Sequence, residues 1–554
     1  MTTRLGVNKD FTIYLNGDSG LDTNSGLSSL SPIKTWAKAL TLIPDIIFDR
    51  MVTVQITGDY DCSANGFLDT SSIRTDANGI LRILGEWTLV KSGTLTAVDT
   101  DGSSMTLQDA GQTFVAGDVG RVLKFTSGAF SAKTYGGKDV EARRFVILHV
   151  VDANTVVVGG TEEYDLTVPG VLSLLWAVGD TYEVYDLDHT ITGDLVDTNA
   201  ITIGDADVLA LGWSQGDEAL DPKTVVLEKI HVLSASQTGW YFLGAHVDVI
   251  DTVLQVGASN PTLCLSYQMG GSTYMHGFGV FGPGGSNTVL GVLLKRCMLR
   301  DLGRLPQYGG VGSVGVFSCS YGGLNMEYET QGFLRSYGYW GEDIGDTALY
   351  IGRNCRRLEL TGLATKLGGV RIIEDAYAVA SGWRHNGGLI EIAYDSHLAV
   401  SGDSAAGSYV RTVLSAGATT QLYYLHDGGS LEFAGDATHT GGTSRVLECR
   451  DGDLRFNSGT ADLDGDAKAG VVLALNTTFS YQTGDFEIHN ATVSGIDAQC
   501  CRGRIDGSIH HIADGGGGAA VALACTLCTK LWDNGVVFAN NDNDTTTDAT
   551  SEVA

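Results

Sequence analysis

Proline is nearly absent, with 7 residues in 554, far below a usual share of ~5%. A collagen-like chain, which needs abundant proline and glycine at every third position, is excluded. Cysteine is also sparse: the ten residues at 62, 264, 297, 319, 355, 449, 500, 501, 525 and 528 follow no small-domain spacing, so no disulfide scaffold is indicated. Basic residues are few, 35 Lys and Arg against 65 Asp and Glu, for a net charge of −30 spread along the chain. Phosphate backbones are held by clustered Lys and Arg, so direct nucleic-acid binding is not expected, and the charge reads as solubility at high local concentration. No apolar run approaches the ~18 residues of a membrane-spanning helix, and the N-terminus has no apolar signal core. The expectation is a protein that neither spans a membrane nor leaves a cell by an ordinary signal peptide.

Glycine is plentiful instead: 74 residues, roughly twice the usual ~7%. Each interior glycine costs a helix about 1 kcal/mol relative to alanine, which argues against a mainly helical protein. The 43% hydrophobic content argues against disorder. A large, turn-rich β protein remains. Length alone suggests three or four domains, unless the chain is a repeat array.

The first sixty residues read as strand, polar loop, short helix and strand. Phe11, Ile13 and Leu15 alternate, and a Gly- and Asn-rich stretch follows from Asn16 to Ser31. Ser31-Pro32 has the chemistry of a helix start, with Ser as N-cap and Pro at the first helical position. Trp36, Leu40 and Ile43 then form one apolar helical face, Pro44 ends it, and Val52, Val54 and Ile56 alternate again.

The stretch Phe11-Thr12-Ile13-Tyr14-Leu15-Asn16-Gly17-Asp18, with Ser25-Gly26-Leu27, Ser31-Pro32 and Thr35-Trp36-Ala37-Lys38-Ala39-Leu40, resembles the entrance of right-handed parallel β-helix proteins of the pectate-lyase-like superfamily. The likeness is greatest to tailspike and tail-fibre-like virion proteins of tailed bacteriophages. It implies an all-β, single-stranded β-helix whose N-terminal helix caps the open end, and a homotrimer. With the helix starting about 30 residues in, no separate anchoring domain is expected before it. Attachment would then use a short N-terminal segment, an insertion or the side of the molecule.

Residues 86–190 read differently, as short strands broken by Gly and Asp, with hairpin turns at Ala153-Asn154 and Val178-Gly179-Asp180. They resemble the small β-barrel inserted into early turns of phage β-helices, either a contact surface or a spacer. Short apolar strands then recur up to residue 538. In 388–490, Ile390-Glu391-Ile392 precedes Leu398-Ala399-Val400, Leu422-Tyr423-Tyr424-Leu425 precedes Leu431-Glu432-Phe433, and Val446-Leu447-Glu448 precedes Leu454-Arg455-Phe456. The paired strands are offset by eight or nine residues, with Asp395, Asp427 or Asp451 between them, and the copies recur every 23 to 33 residues. A looser fourth copy joins Val472-Leu473-Ala474-Leu475 to Phe486-Glu487-Ile488. A β-helix keeps its strands and varies its loops in this way. Alternation points Glu391, Glu432, Glu448, Arg455 and Glu487 outward as a charged lateral face. The organisation expected is 1–85 for entrance and first coils, 86–190 for the insertion, 191–538 for the β-helix and 539–554 for a polar acidic tail.

No phosphate loop, nucleophile elbow, HExxH, dinucleotide fingerprint or calcium nonapeptide is present. Asp462, Asp464 and Asp466 lack the distal glutamate of a calcium loop and read as a solvated turn. Cys500, Cys501, Cys525 and Cys528 beside His510 and His511 fit no zinc spacing, and buried thiols or a disulfide, within or between chains, are the alternatives. Catalytic carboxylates on a β-helix come from neighbouring coils, so the linear sequence cannot pair them. No catalytic residue, metal ligand or cofactor is assigned. Glycan binding is assigned to Tyr339, Trp340, Glu342 and Asp343, where aromatic faces stand beside carboxylates; the same aromatics could instead fill the interior or a subunit interface. Trp383, Arg384 and His385 carry the same ambiguity, and of Tyr423 and Tyr424 only one can face outward.

Three functions follow. The favoured one is a non-enzymatic virion component, a trimeric spike, fibre or decoration protein contacting other virion proteins and host surface polysaccharide. The second is a depolymerase cleaving capsular or O-antigen polysaccharide, as a glycoside hydrolase or lyase. The third, a secreted lyase or adhesin, is disfavoured by the absent signal sequence.

Overall fold

The computed structural model describes residues 10–98, 106–160, 177–192 and 224–553, interrupted at single residues and short stretches of which 301–313 is the longest. The chain forms a parallel β-helix. It divides into two compact units, residues 1–162 with 171–324, and residues 325–554 with 163–170.

In the N-terminal unit, successive coils lay Phe11–Leu15, Met51–Ile56, Ile80–Leu84, Thr224–Glu228, His246–Ile250 and Ser272–His276 side by side, all parallel. A six-stranded parallel second face runs from Tyr60–Asp61 to Val314–Phe317. Inward positions such as Ile13, Val54, Leu81, Val225 and Val247 are fully buried.

The terminal strand Phe11–Leu15 would expose a row of unpaired N–H groups, the usual route to edge-to-edge aggregation. The entrance loop prevents this: Tyr14 N–H donates to the Gly26 carbonyl and Asn16 N–H to the Ile33 carbonyl, both under 3 Å, and Leu15 bridges Ile33 in parallel. This pairing corrects the expected helix start. Ser31 to Thr35 stay extended because Ile33 joins the sheet edge, and the helix spans Trp36–Leu42 with Thr35 as N-cap. Asp22 fixes that cap by accepting from the Lys34 and Thr35 N–H groups and the Thr35 hydroxyl. Trp36 and Ala39 of the helix, with Ile43 just beyond it, are buried.

After Leu84 the chain leaves the first face, and it re-enters on the second face at Thr190–Thr192. Between them lies a seven-stranded antiparallel sheet reaching from Trp87–Thr94 to Thr181–Leu187. Its core holds Leu107, Phe125, Phe145, Ile147, Val158 and Val184. Asp118 is fully buried there; burial pushes its carboxyl up, but Lys91, the Val115 N–H and Arg121 outweigh that and hold it below the ordinary range. The spatial ends of the sheet, Trp87–Thr94 and Ala97–Val98, are consecutive in the chain and pair with Thr181–Leu187 and Thr106–Gln108 respectively, so residues 87–98 bring the sheet round on itself as a small barrel.

The C-terminal unit repeats three strands per coil. Its first face stacks, among others, Leu358–Thr361, Tyr377–Ser381, His397–Ser401, Ser430–Ala434, Asp453–Ser458 and Thr478–Tyr481. A nine-stranded second face runs from Tyr339–Trp340 to Val537–Ala539. The third face includes Thr347–Ile351, Gly369–Ile372, Ile390–Ala393, Tyr423–His426, Arg445–Arg450 and Ala469–Ala474. Coil length varies: equivalent positions lie 20 residues apart at Ala376 and Ser396 but 33 apart at His397 and Ser430. Inward side chains stack in register, as with Ile390, Tyr423 and Leu447, or Leu398, Leu431 and Leu454. The three best sequence repeats are third-face and first-face pairs. The fourth is not: Phe486-Glu487-Ile488 lies on the second face, against Ala461-Asp462-Leu463, and the first-face strand of its coil is Thr478–Tyr481. Thr478–Tyr481 carries only two apolar residues, Phe479 and Tyr481, and no aliphatic one.

Between residues 351 and 453, each passage from third to first face is a tight corner in left-handed backbone. Positive φ occurs at Glu374 and Asp375 (62° and 59°), Tyr394 and Asp395 (54° and 58°), Asp427 and Gly428 (48° and 81°), and Asp451 (53°). The conformation aims one N–H of each corner at the next coil: Asn354 to Glu374, Asp375 to Tyr394, Asp395 to Asp427 and Gly428 to Asp451, at 2.7 to 3.1 Å. The residue inside the corner is small or polar and bonds locally; Ser396 Oγ accepts from Ala376 N–H, and Thr477 Oγ1 donates to the Cys449 carbonyl. Cys355 occupies one such site, and burial pushes its thiol up to about 12, leaving it inert. Cys62, Cys297 and Cys449 are likewise buried thiols.

Asn and Asp tolerate this backbone, whereas a β-branched side chain pays a further cost on the order of 1–2 kcal/mol. Asp451→Asn is therefore expected to leave the urea midpoint almost unchanged and Asp451→Val to lower it. Equal midpoints for the two variants would contradict the corner geometry.

Candidate functional site

Among the described residues of 325–554, the large apolar side chains standing in solvent are Tyr377 and Tyr394, 42% and 52% exposed. Both flank the corner between the third and first faces, on successive coils. Alternation in the strands and the left-handed turn at Tyr394 place them outside, with no core position available to either ring.

Polar groups from three coils converge beside them. His426 stands between two carboxylates, with Nε2 3.0 Å from Glu391 Oε1 and Nδ1 2.8 Å from Asp427 Oδ2. Its ring lies 4.7 Å from that of Tyr424 and meets Tyr394 edge-on at 5.8 Å. Arg371 approaches the other oxygen of Glu391, 2.7 Å from Oε2. Tyr377 stacks on His397 at 4.8 Å and 14°. His397 Nδ1 is 3.0 Å from Ser430 Oγ, and its Nε2 is 3.7 Å from Glu432. Burial pushes His397 below its usual range, only partly offset by Glu432, so its imidazole is neutral at physiological pH. One coil further on, Glu448 is buried between Arg445 and Arg450.

The corner thus offers two exposed aromatic faces held by histidines, with carboxylates and a tyrosine around them. Aromatic faces take the apolar C–H face of a sugar ring, and carboxylates accept from hydroxyls. Among the described residues no group of three or more His, Cys, Asp or Glu side chains could hold a metal ion.

No family model matches the chain, and no curated protein matches it. Solved structures do match, among them three phage tailspikes, all at low superposition scores. The gp54 tailspike of Acinetobacter baumannii bacteriophage AP22, solved in complex with A. baumannii capsular saccharide, is 11% identical, with 91% of this chain and 74% of that one covered and a TM-score of 0.24. The tailspike gp49 from Pseudomonas phage LKA1 is 10% identical, with 92% and 77% covered and a TM-score of 0.23. The tailspike gp61 of Pseudomonas phage phi297 is 12% identical, with 85% and 71% covered and a TM-score of 0.21. The fold assignment stands on the strand pairing itself.

The residues singled out from the sequence are dispersed. Tyr339 and Trp340 form a short second-face strand against Ala364 and Thr365, and Glu342 and Asp343 lie outside the described residues. Trp383 and His385 are core, and so is Tyr423, leaving Tyr424 as the outward member of its pair. Glu391 and Glu432 join the corner, and Arg455 pairs with Asp453 at 2.6 Å. Glu448 is not part of an open charged face, because its two arginines close over it. Asp462 and Asp464 sit in a strand, Thr460–Asp464, and not in a turn. Cys525 is on the third face and His510 and His511 on the second, while Cys500, Cys501 and Cys528 lie outside the described residues. Tyr394 and His426 carry no functional assignment from the sequence, although each immediately precedes a corner Asp in the aligned repeats. That preceding position, occupied by Tyr394, His426 and Arg450, was the available signal.

Inside the same coils, Tyr423, Phe433 and His439 fill one cross-section, one from each face, and the Tyr423 hydroxyl lies 2.9 Å from His439 Nδ1. Burial depresses His385 to about 4 and His439 to about 3. Both are neutral in the fold and protonate near 6.5 when unfolded. The unfolded chain therefore binds more protons as pH falls below 6.5, and stability drops until about pH 4, by roughly 3 kcal/mol per histidine. His439→Phe keeps a ring in place and is expected to flatten the fall of the melting temperature between pH 6.5 and 4; an unchanged slope would contradict the buried neutral imidazole.

Proposed function

We propose that this chain is an exposed β-helical spike or fibre of a tailed-bacteriophage virion that adsorbs to host surface glycan without cleaving it. The observation that carries the reading is the pair Tyr377 and Tyr394, presented beside carboxylates on a solenoid whose other large apolar side chains are mostly inside. The entrance loop and cap, and the antiparallel insertion after the third first-face strand, agree with the sequence likeness to phage β-helices. A homotrimer attached to other virion proteins fits the same reading, since a short site gains avidity when several copies engage one polysaccharide. Tyr339 and Trp340 on the second face, with Glu342 and Asp343 that follow them in the sequence, are a further candidate for the same ligand.

The depolymerase reading is favoured by one feature, the carboxylates of Glu391 and Asp427 on either side of His426. Against it, Glu391 already accepts from Arg371 and bonds His426, which leaves it poorly placed to exchange protons with a substrate.

Incubation of the purified chain with capsular and O-antigen polysaccharides is expected to release neither reducing ends nor unsaturated uronates. Products that vanish in Glu391→Gln would replace adsorption with hydrolysis or elimination. Each stacked ring contributes on the order of 1 kcal/mol. Tyr377→Ala combined with Tyr394→Asn, the latter chosen because Asn tolerates positive φ, is expected to weaken retention on host cells about tenfold or more. Mass spectrometry of purified virions is expected to find the chain as a particle component.

A further inference from the structure

Resting on the adsorption reading, we propose that the Tyr377–Tyr394 corner takes a glycan free of carboxylate, phosphate and sulfate groups. Acidic polysaccharides are gripped by guanidinium groups whose donors can fork onto the anion. At this corner the arginines are turned to the chain's own carboxylates: Arg356 to Asp375, Arg371 to Glu391, Arg450 to Glu448 and Arg455 to Asp453.

Carboxylates meanwhile face the ligand. Asp427 is exposed at the turn beside Tyr394, and Asp395 occupies the equivalent turn one coil earlier. Glu391 and Glu432 stand beside His426 and His397, the histidines that pack against Tyr394 and Tyr377. A uronate laid across these rings would lie within a Debye length, ~8 Å at physiological ionic strength, of several like charges. The chain as a whole carries −30, so approach of a polyanion is opposed at longer range as well. Hydroxyl, acetamido and ammonium groups meet the reverse situation, since each donates to carboxylate oxygen. Arg357 is the exception: it precedes Leu358, the register neighbour of Ala378, so it flanks Tyr377 and has no carboxylate partner among the described residues. One such cation at the rim does not offset the carboxylates, and it supplies the group to remove in the test.

The full-length chain is applied to an immobilised panel of bacterial capsular and O-antigen polysaccharides sorted into neutral, amino-sugar and acidic sets, at low and at physiological salt. The strongest signals are expected in the two acid-free sets, falling about fivefold in Tyr394→Asn with the melting temperature preserved. Asp427→Asn, which keeps the turn and removes a charge, is expected to raise the weak low-salt signal on the acidic set. An acidic polysaccharide as the strongest Tyr394-dependent ligand, lost in Arg357→Ala, would overturn the assignment of ligand class and leave adsorption standing. No Tyr394-dependent signal on any glycan would overturn adsorption, and this inference with it.

Discussion

Every coil of this molecule must offer its strand N–H and carbonyl groups to the coil on either side in the same register. A slip of one residue would turn a whole inward set outward. The corners hold that register where the chain has least freedom. Left-handed backbone at Asp375, Asp395 and Gly428 sends one N–H from each corner into the next, so hydrogen bonding continues around the turn and not only along the faces. Small or polar residues such as Ser396 and Thr477 fill the inside of the turn and satisfy the carbonyls left there. Loops elsewhere can vary in length because neither the corner nor the faces depend on them.

The same constraint places the candidate site. A corner fixed in left-handed geometry projects its side chain away from the solenoid, and the strand on each side alternates in and out. Outward positions from three coils are thereby brought within a few ångströms of one another without any loop to order. Tyr394 stands at a turn, Tyr377 begins a strand, and Glu391 and His426 come from adjacent third-face strands. Rings packed on His397 and His426 are held before a ligand arrives, which lowers the ordering cost of binding. A polysaccharide is long and locally weakly bound, so such a rigid row suits adsorption better than an enclosed pocket would.

Much of this was legible in the residues. Glycine abundance, scarce proline and the repeat around Ile390, Tyr423 and Leu447 led directly to stacked parallel strands. The corner Asp was visible too, though its role as a left-handed donor to the next coil was not. Three features escaped for physical reasons. Ser31-Pro32 carries strong helix-start chemistry, but Ile33 is drawn into the open sheet edge, a tertiary demand that local propensity does not contain. Glu448 alternates outward like Glu391, yet arginines three residues before and two after fold over it. The tyrosine corner is assembled from residues up to about sixty apart in coils of unequal length, so no fixed spacing reveals it. The pair Tyr339-Trp340 stands out because its aromatics are contiguous, which is a property of the sequence alone.

The claim that this corner is where the molecule meets its glycan is tested most directly by a crystal structure of the full chain soaked with a polysaccharide fragment that it retains. Sugar density lying across the rings of Tyr377 and Tyr394, with hydroxyls toward Glu391 and Asp427, is the result expected. Density on the second face against Tyr339–Trp340 and Ala364–Lys366, with the two tyrosines bare, would contradict it.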